Sequence, residues 1–318
     1  MKRILTIFIA IAICTSILTG CQNNTVNSED NASSGKISVV TTIFPQYDFV
    51  REIAGDKVEL TMLLPPGSES HSFEPTPQDI INIQNCDVFI YVGGESDEWV
   101  NQILESMDTS NMKIISLMDL ANVVEEKIVE GMEAEEEKSD EEAEYDEHVW
   151  TSPQNAMTIV RYISEALCEL DSDNASVYAS NTTAYLEKLS ELDTSFQTVV
   201  DNAKRNTLVF ADRFPFRYFT DAYGLDYFAA FPGCSTETEA SAATVAFLID
   251  KVNKENIPVI FYIEFSNEKM ANTICESTNA EKLMLHSCHN ISKDDFESGV
   301  SYLDLMTQNA ENLGEALQ

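Results

Sequence analysis

From residue 36 to the end, short apolar runs alternate with amphipathic stretches. The β-branched run 36–42 predicts an opening strand, and Tyr47, Val50 and Ile53, three residues apart, predict a helix over 45–54 that stops at Gly55. Residues 58–64 predict a second strand. The proline-rich loop 65–77 after it is stiff and leads into a helix at Gln78. Runs 87–92 and 113–117 predict a third and a fourth strand, the third closed by Gly93 and Gly94. A second series has the same rhythm, with strands over 207–212, 226–231, 258–264 and 282–286 and helices over 214–223, 241–253, 269–277 and 304–317. Between the two series, 174–202 predicts one long amphipathic helix with Tyr178, Tyr185, Leu189, Leu192 and Phe196 among its apolar positions. Strands separated by helices pair in parallel through right-handed crossovers. The expectation is therefore α/β: two lobes, each a four-stranded parallel sheet flanked by helices, joined by a long backbone helix. The N-terminal lobe would span 36–172, the linking helix 173–204 and the C-terminal lobe 205–318.

Three stretches fall outside this rhythm. Lys2 and Arg3 precede an apolar run over 4–18, too short for a comfortable membrane span and suited to a signal-peptide core. It closes on Leu18-Thr-Gly-Cys21, which resembles a bacterial lipobox and implies that Cys21 carries lipid; an ordinary secretory signal with an incidental cysteine is the alternative. Residues 22–35 are polar and acidic and read as a flexible tether. Residues 125–147 are about half Glu or Asp without apolar periodicity, which predicts a mobile acidic loop. That loop either gathers cations beside His148 or is only a solvated insertion.

Composition narrows the partners. With 54 acidic and 19 basic residues the formal charge is −35, which repels nucleic acid and excludes it as a partner. Of seven cysteines, Cys14 lies in the leader and Cys21 at its end, leaving Cys86, Cys168, Cys234, Cys275 and Cys288. Outside the membrane a disulfide is permitted, and Cys275 with Cys288 is the best pair; buried free thiols are the alternative.

The candidate chemistry lies in the histidines, of which there are four. A single loop histidine is usually only a polar surface residue. Here His71 follows the second strand and His286 ends the last one, in the positions where α/β sheets bind ligands, while His148 closes the acidic stretch. Three imidazoles suit zinc (Zn2+), whereas manganese (Mn2+) prefers more oxygen.

The chain also resembles a known family, the zinc and manganese receptors of bacterial ABC importers, from about Ile37 to Leu317. The segment Leu64-Pro-Pro-Gly-Ser-Glu-Ser-His71-Ser-Phe-Glu-Pro-Thr-Pro is similar to the family's first ligand loop, and Glu147-His148-Val-Trp-Thr-Ser-Pro to its second. The second lobe departs from the pattern. Phe214-Pro-Phe-Arg-Tyr218-Phe219 matches the segment after the third ligand, so the resemblance puts Arg213 in the ligand slot, where a guanidinium cannot coordinate a metal. Asp212 would then ligate or pair with Arg213. The usual fourth ligand corresponds to His286, and the turn 233–241 resembles an acidic turn of the family, with Glu239 as a carboxylate donor. The implied shell is His71, His148 and His286 with oxygen from Asp212, Glu239 or water, and with Arg213, His289 and Glu264 close behind it.

The resemblance implies a lipid-anchored, monomeric extracytoplasmic receptor that passes zinc to an ABC permease and its ATPase, with manganese or another divalent metal as the alternative cargo. A zinc hydrolase using Glu237 or Glu239 as base is a competing reading, but the chain has no His-Glu-x-x-His motif and reads as no enzyme. A surface adhesin is a third reading, for which the sequence offers no repeat or binding module.

Overall fold

The structure is a computed structural model that describes residues 35–318 except 70–72, 134–143 and 236–238. The first sheet contains β1 (Ser38–Thr41), β2 (Glu59–Met62), β3 (Val88–Tyr91) and β4 (Lys113–Ser116), all parallel in the order β2-β1-β3-β4. The second contains β5 (Thr207–Phe214), β6 (Asp226–Pro232), β7 (Val259–Tyr262) and β8 (Glu281–Met284), again parallel, in the order β6-β5-β7-β8. Both orders reverse direction beside the first strand of the series, the switch point at which ligands bind in such sheets.

Alternation along each strand supplies both faces. In β1, Val39 joins the main core while Val40 joins a smaller one with Leu63, Ile83, Phe89 and Val100. In β5, Leu208 and Phe210 enter the main core, and Val209 and Ala211 turn to the opposite face with Leu248 and Ile274. The main core takes residues from both sheets, and residues 37–318 form one compact unit.

The helices in chain order are α1 (Phe44–Ala54), α2 (Pro77–Gln84), α3 (Glu98–Glu105), α4 (Pro153–Leu170), α5 (Ala175–Asp201), α6 (Arg217–Tyr223), α7 (Ala242–Glu255), α8 (Lys269–Ser277), α9 (Lys293–Ser298) and α10 (Tyr302–Ala316). The long α5 buries Tyr178, Tyr185, Leu189, Leu192 and Phe196. Tyr185 meets Phe49 of α1 at 6.4 Å between ring centroids, and Phe196 meets Phe219 of α6 at 4.9 Å. One apolar stripe thus packs against a helix from each of the two series. Among the described residues no helix is long and apolar enough to cross a membrane.

Three expectations change. First, β5 runs two residues past the predicted strand, through a register shift between Phe210 and Arg213, and α6 starts only at Arg217. Pro215 lacks the N–H needed to prolong the ladder, so Arg213 falls at a strand end. Second, Cys275 and Cys288 are both free. Cys275 packs on one face of the second sheet and Cys288 in the main core on the other, so the sheet itself separates them. Third, the acidic insertion is tied at its neck: Glu125 bridges Tyr145, the Glu126 amide donates to the Glu144 carbonyl at 2.8 Å, and the Asp146 amide to the Val124 carbonyl at 3.0 Å. Residues 134–143 of that insertion lie outside the described residues.

Candidate metal centre

The neck of the acidic insertion delivers His148. The backbone turns through Val149–Thr151 into α4, whose first turn is capped by the Ser152 hydroxyl accepting from the Asn155 amide. Asp146 holds His148 twice, its Oδ1 accepting the His148 amide at 2.8 Å and lying 3.1 Å from Nδ1. Nδ1 therefore carries the proton, and Nε2 keeps the lone pair that a metal requires. Burial pushes the His148 pKa down, but the charge and hydrogen bond of Asp146, with Glu147 and Glu126, outweigh it and leave it above the ordinary value.

The 286–291 loop brings the partner ring. Cys288, between His286 and His289, adopts the left-handed region at φ 61°. His289 meets His148 edge to face at 5.3 Å and 86°, and Trp150 at 5.0 Å. The Trp150 indole donates to the Ser287 carbonyl at 2.8 Å, locking the loop against the turn that carries His148. Glu264, just beyond β7, accepts from the Ser287 amide at 2.8 Å and from its hydroxyl.

His148, His289, Glu264, Arg213, Glu69 and Gly233 line one cavity of about 310 Å³ including its open mouth. Gly233 makes a close approach there, and a Cβ would lie 3.1 Å from Cε1 of His148 and 3.0 Å from the Phe214 carbonyl oxygen, so those neighbours would have to give. Its amide donates at 2.9 Å to Glu126, whose carboxyl burial pushes up to about 7, with Glu144 and Asp146 adding to the shift.

The other predicted residues lie elsewhere. His286 is outside the cavity lining; its Nδ1 accepts the Cys288 amide at 2.9 Å, and Asn309 brackets its backbone with two 2.7 Å hydrogen bonds. Its lone pair is thus already engaged in shaping the loop. Asp212 is not among the residues that line the cavity, and it accepts the Arg213 amide at 2.9 Å. Glu239 has a side chain 79% exposed, 3.5 Å from Lys269. Arg213 does reach the cavity, where both its terminal nitrogens pair with Glu69 at 3.2 and 3.1 Å. His71, Glu237 and Cys21 lie outside the described residues. Among the described residues no three His, Cys, Asp or Glu side chains converge as a complete metal shell. Sequence reasoning ranked His289 behind His286, whereas the structure puts His289 in the cavity lining and His286 outside it.

Two doubly wound parallel sheets sharing a core, with two imidazoles meeting in a cavity beside the ends of β5 and β7, define a two-sheet α/β binding protein. The chain belongs to the ZnuA family, described as zinc-uptake complex component A, periplasmic, whose family model matches residues 39–316. It is 30% identical over 312 residues to the high-affinity zinc uptake system protein ZnuA of Bacillus subtilis, covering 96% of each chain. It is 30% identical over 307 residues to the zinc-binding lipoprotein AdcA of Streptococcus pneumoniae, covering 95% of this chain but 59% of that longer relative. The crystal structure of the Zn(II)-bound ZnuA-like domain of that AdcA superposes with a TM-score of 0.74 at 29% identity, over 89% of this chain and 99% of the domain.

Proposed function

We propose that this chain is an extracytoplasmic zinc receptor that captures the ion at its cavity and hands it to an ABC importer permease and its ATPase. The observation that carries the reading is the buried His148–His289 pair, with Nδ1 of His148 held by a carboxylate. A metal-bound imidazole is oriented in just this way, by a carboxylate on its other nitrogen. Family membership and the zinc-binding relatives support the cargo.

His148 and His289 are the described donors, and His71, on the loop that resembles the family's first ligand loop, is the third. Nitrogen donors favour zinc over manganese, and the formal charge of −35 draws cations towards the surface. The lipobox-like Leu18-Thr-Gly-Cys21 supports anchoring through Cys21, which would keep the receptor beside its permease as a tethered monomer.

The test is a calorimetric titration of chelator-stripped protein lacking residues 1–21 with zinc and with manganese. Tight one-to-one zinc binding is expected, weaker for manganese. His148→Ala should lose about 100-fold or more in zinc affinity, since even a partner behind a ligand costs 10–100-fold. Failure of both metals to bind would refute the receptor reading.

A further inference from the structure

Arg213 stands at the end of β5, where the resemblance expects a metal ligand, and it is committed to another task. Its guanidinium cannot coordinate a cation, and its charge in an open cavity would repel one. Both terminal nitrogens instead engage both oxygens of Glu69, 144 residues away, on the stretch that follows β2. Nη1 also donates to the Ser235 carbonyl at 3.4 Å. The pair therefore joins the first sheet's ligand-facing loop to the end of the second sheet's central strand.

Exposure places the pair at the outer lip of the cavity. His148 is fully buried and His289 is 8% exposed, whereas the side chains of Arg213 and Glu69 are 12% and 42% exposed. The base of the same loop has separate moorings. Asn290, next to His289, donates from Nδ2 to the carbonyls of Pro65 at 2.9 Å and Ser68 at 2.8 Å, and the Gly67 amide donates to Ile291 at 2.8 Å. Breaking the ion pair would free the Glu69 end of the stretch while residues 65–68 stay fixed.

We propose that the Arg213–Glu69 pair is a clasp across the mouth of the cavity that sets how long the metal stays, with Arg213 a positioning residue rather than a ligand. Glu69 neutralises the guanidinium, so a cation meets no net repulsion at the lip, and the forked geometry makes the contact directional. The clasp is weak enough to open, because it is partly hydrated and screened by salt.

The inference rests on the metal-receptor reading, and the experiment separates the two. Zinc-loaded wild type, Glu69→Gln, Arg213→Gln and the double variant are mixed with excess chromophoric chelator in a stopped-flow instrument. Both single variants should release zinc about two- to fivefold faster, the range of a partly exposed ion pair, and the double variant no faster than the singles. Release from wild type should quicken with ionic strength, and release from the double variant should not. The pair would act through charge alone, and the clasp would be overturned, if Glu69→Gln sped release while Arg213→Gln slowed it. Equal rates for all four proteins would also overturn it. Wild type that takes up no zinc would instead overturn the receptor reading itself.

Discussion

Two residues, Ser287 and Cys288, separate two histidines that the structure treats in opposite ways. His286 turns its Nδ1 onto the Cys288 amide and leaves the cavity lining, while His289 meets His148. The residue types and their position past the last strand were legible in the sequence. Which ring faces the cavity was not, because it depends on the course of the loop, whose left-handed residue, Cys288, is neither Gly nor Asn and gives no signal in the sequence. Asp146 was equally hard to single out within an acidic run, yet it fixes the tautomer of His148. It follows that Asp146→Asn should lower zinc affinity about 10–100-fold in the calorimeter at neutral pH. The pH dependence has a definite sign. Asp146 helps to raise the His148 pKa, so protons compete with metal from a higher pH than for an ordinary imidazole, and affinity should fall as pH drops. In Asp146→Asn that fall should move to lower pH; an unchanged midpoint would remove Asp146 from the account.

Elements were more legible than side-chain directions. The apolar runs gave all eight strands and the long α5 because period 2 and a sustained helical stripe are strong signals. The sequence reading missed α3 and α9, and it placed the end of β5 too early because the ladder continues through an irregularity. It also missed the contact between α1 and α10, where Asp48 accepts the Tyr302 amide at 2.7 Å and pairs with Arg51. Burial pushes the Asp48 carboxyl up to about 6, against the pull of Arg51. An acid with a raised folded pKa favours the fold fully below its unfolded value of 3.8 and loses that contribution as pH rises through about 6. Asp48→Asn keeps an acceptor for the Tyr302 amide without the charge. Its stability relative to wild type should therefore improve by about 2–3 kcal/mol between pH 4 and pH 7 in urea unfolding. A flat difference across that range would show that the buried charge costs nothing.

At the scale of the molecule, two copies of one sheet topology enclose a site that neither contains alone. His148 arrives after the first sheet, while Arg213 stands at the end of a strand of the second and Glu264 and His289 follow strands of it. The main core and α5 hold both sheets to one frame, so capture and release are expected to work through the cavity lip and the ligand loops rather than through a wide hinge. The architecture and the family were readable from the strand series and two loop motifs, and the departure at Arg213 was readable too. The pairing of Arg213 with Glu69 was not, since it joins positions 144 residues apart. The most direct test of the central claim is to titrate His289→Ala and His286→Ala side by side with zinc. The account expects affinity to collapse by about two orders of magnitude or more in His289→Ala and to stay within about tenfold of wild type in His286→Ala. Collapse in His286→Ala with His289→Ala unimpaired would contradict it.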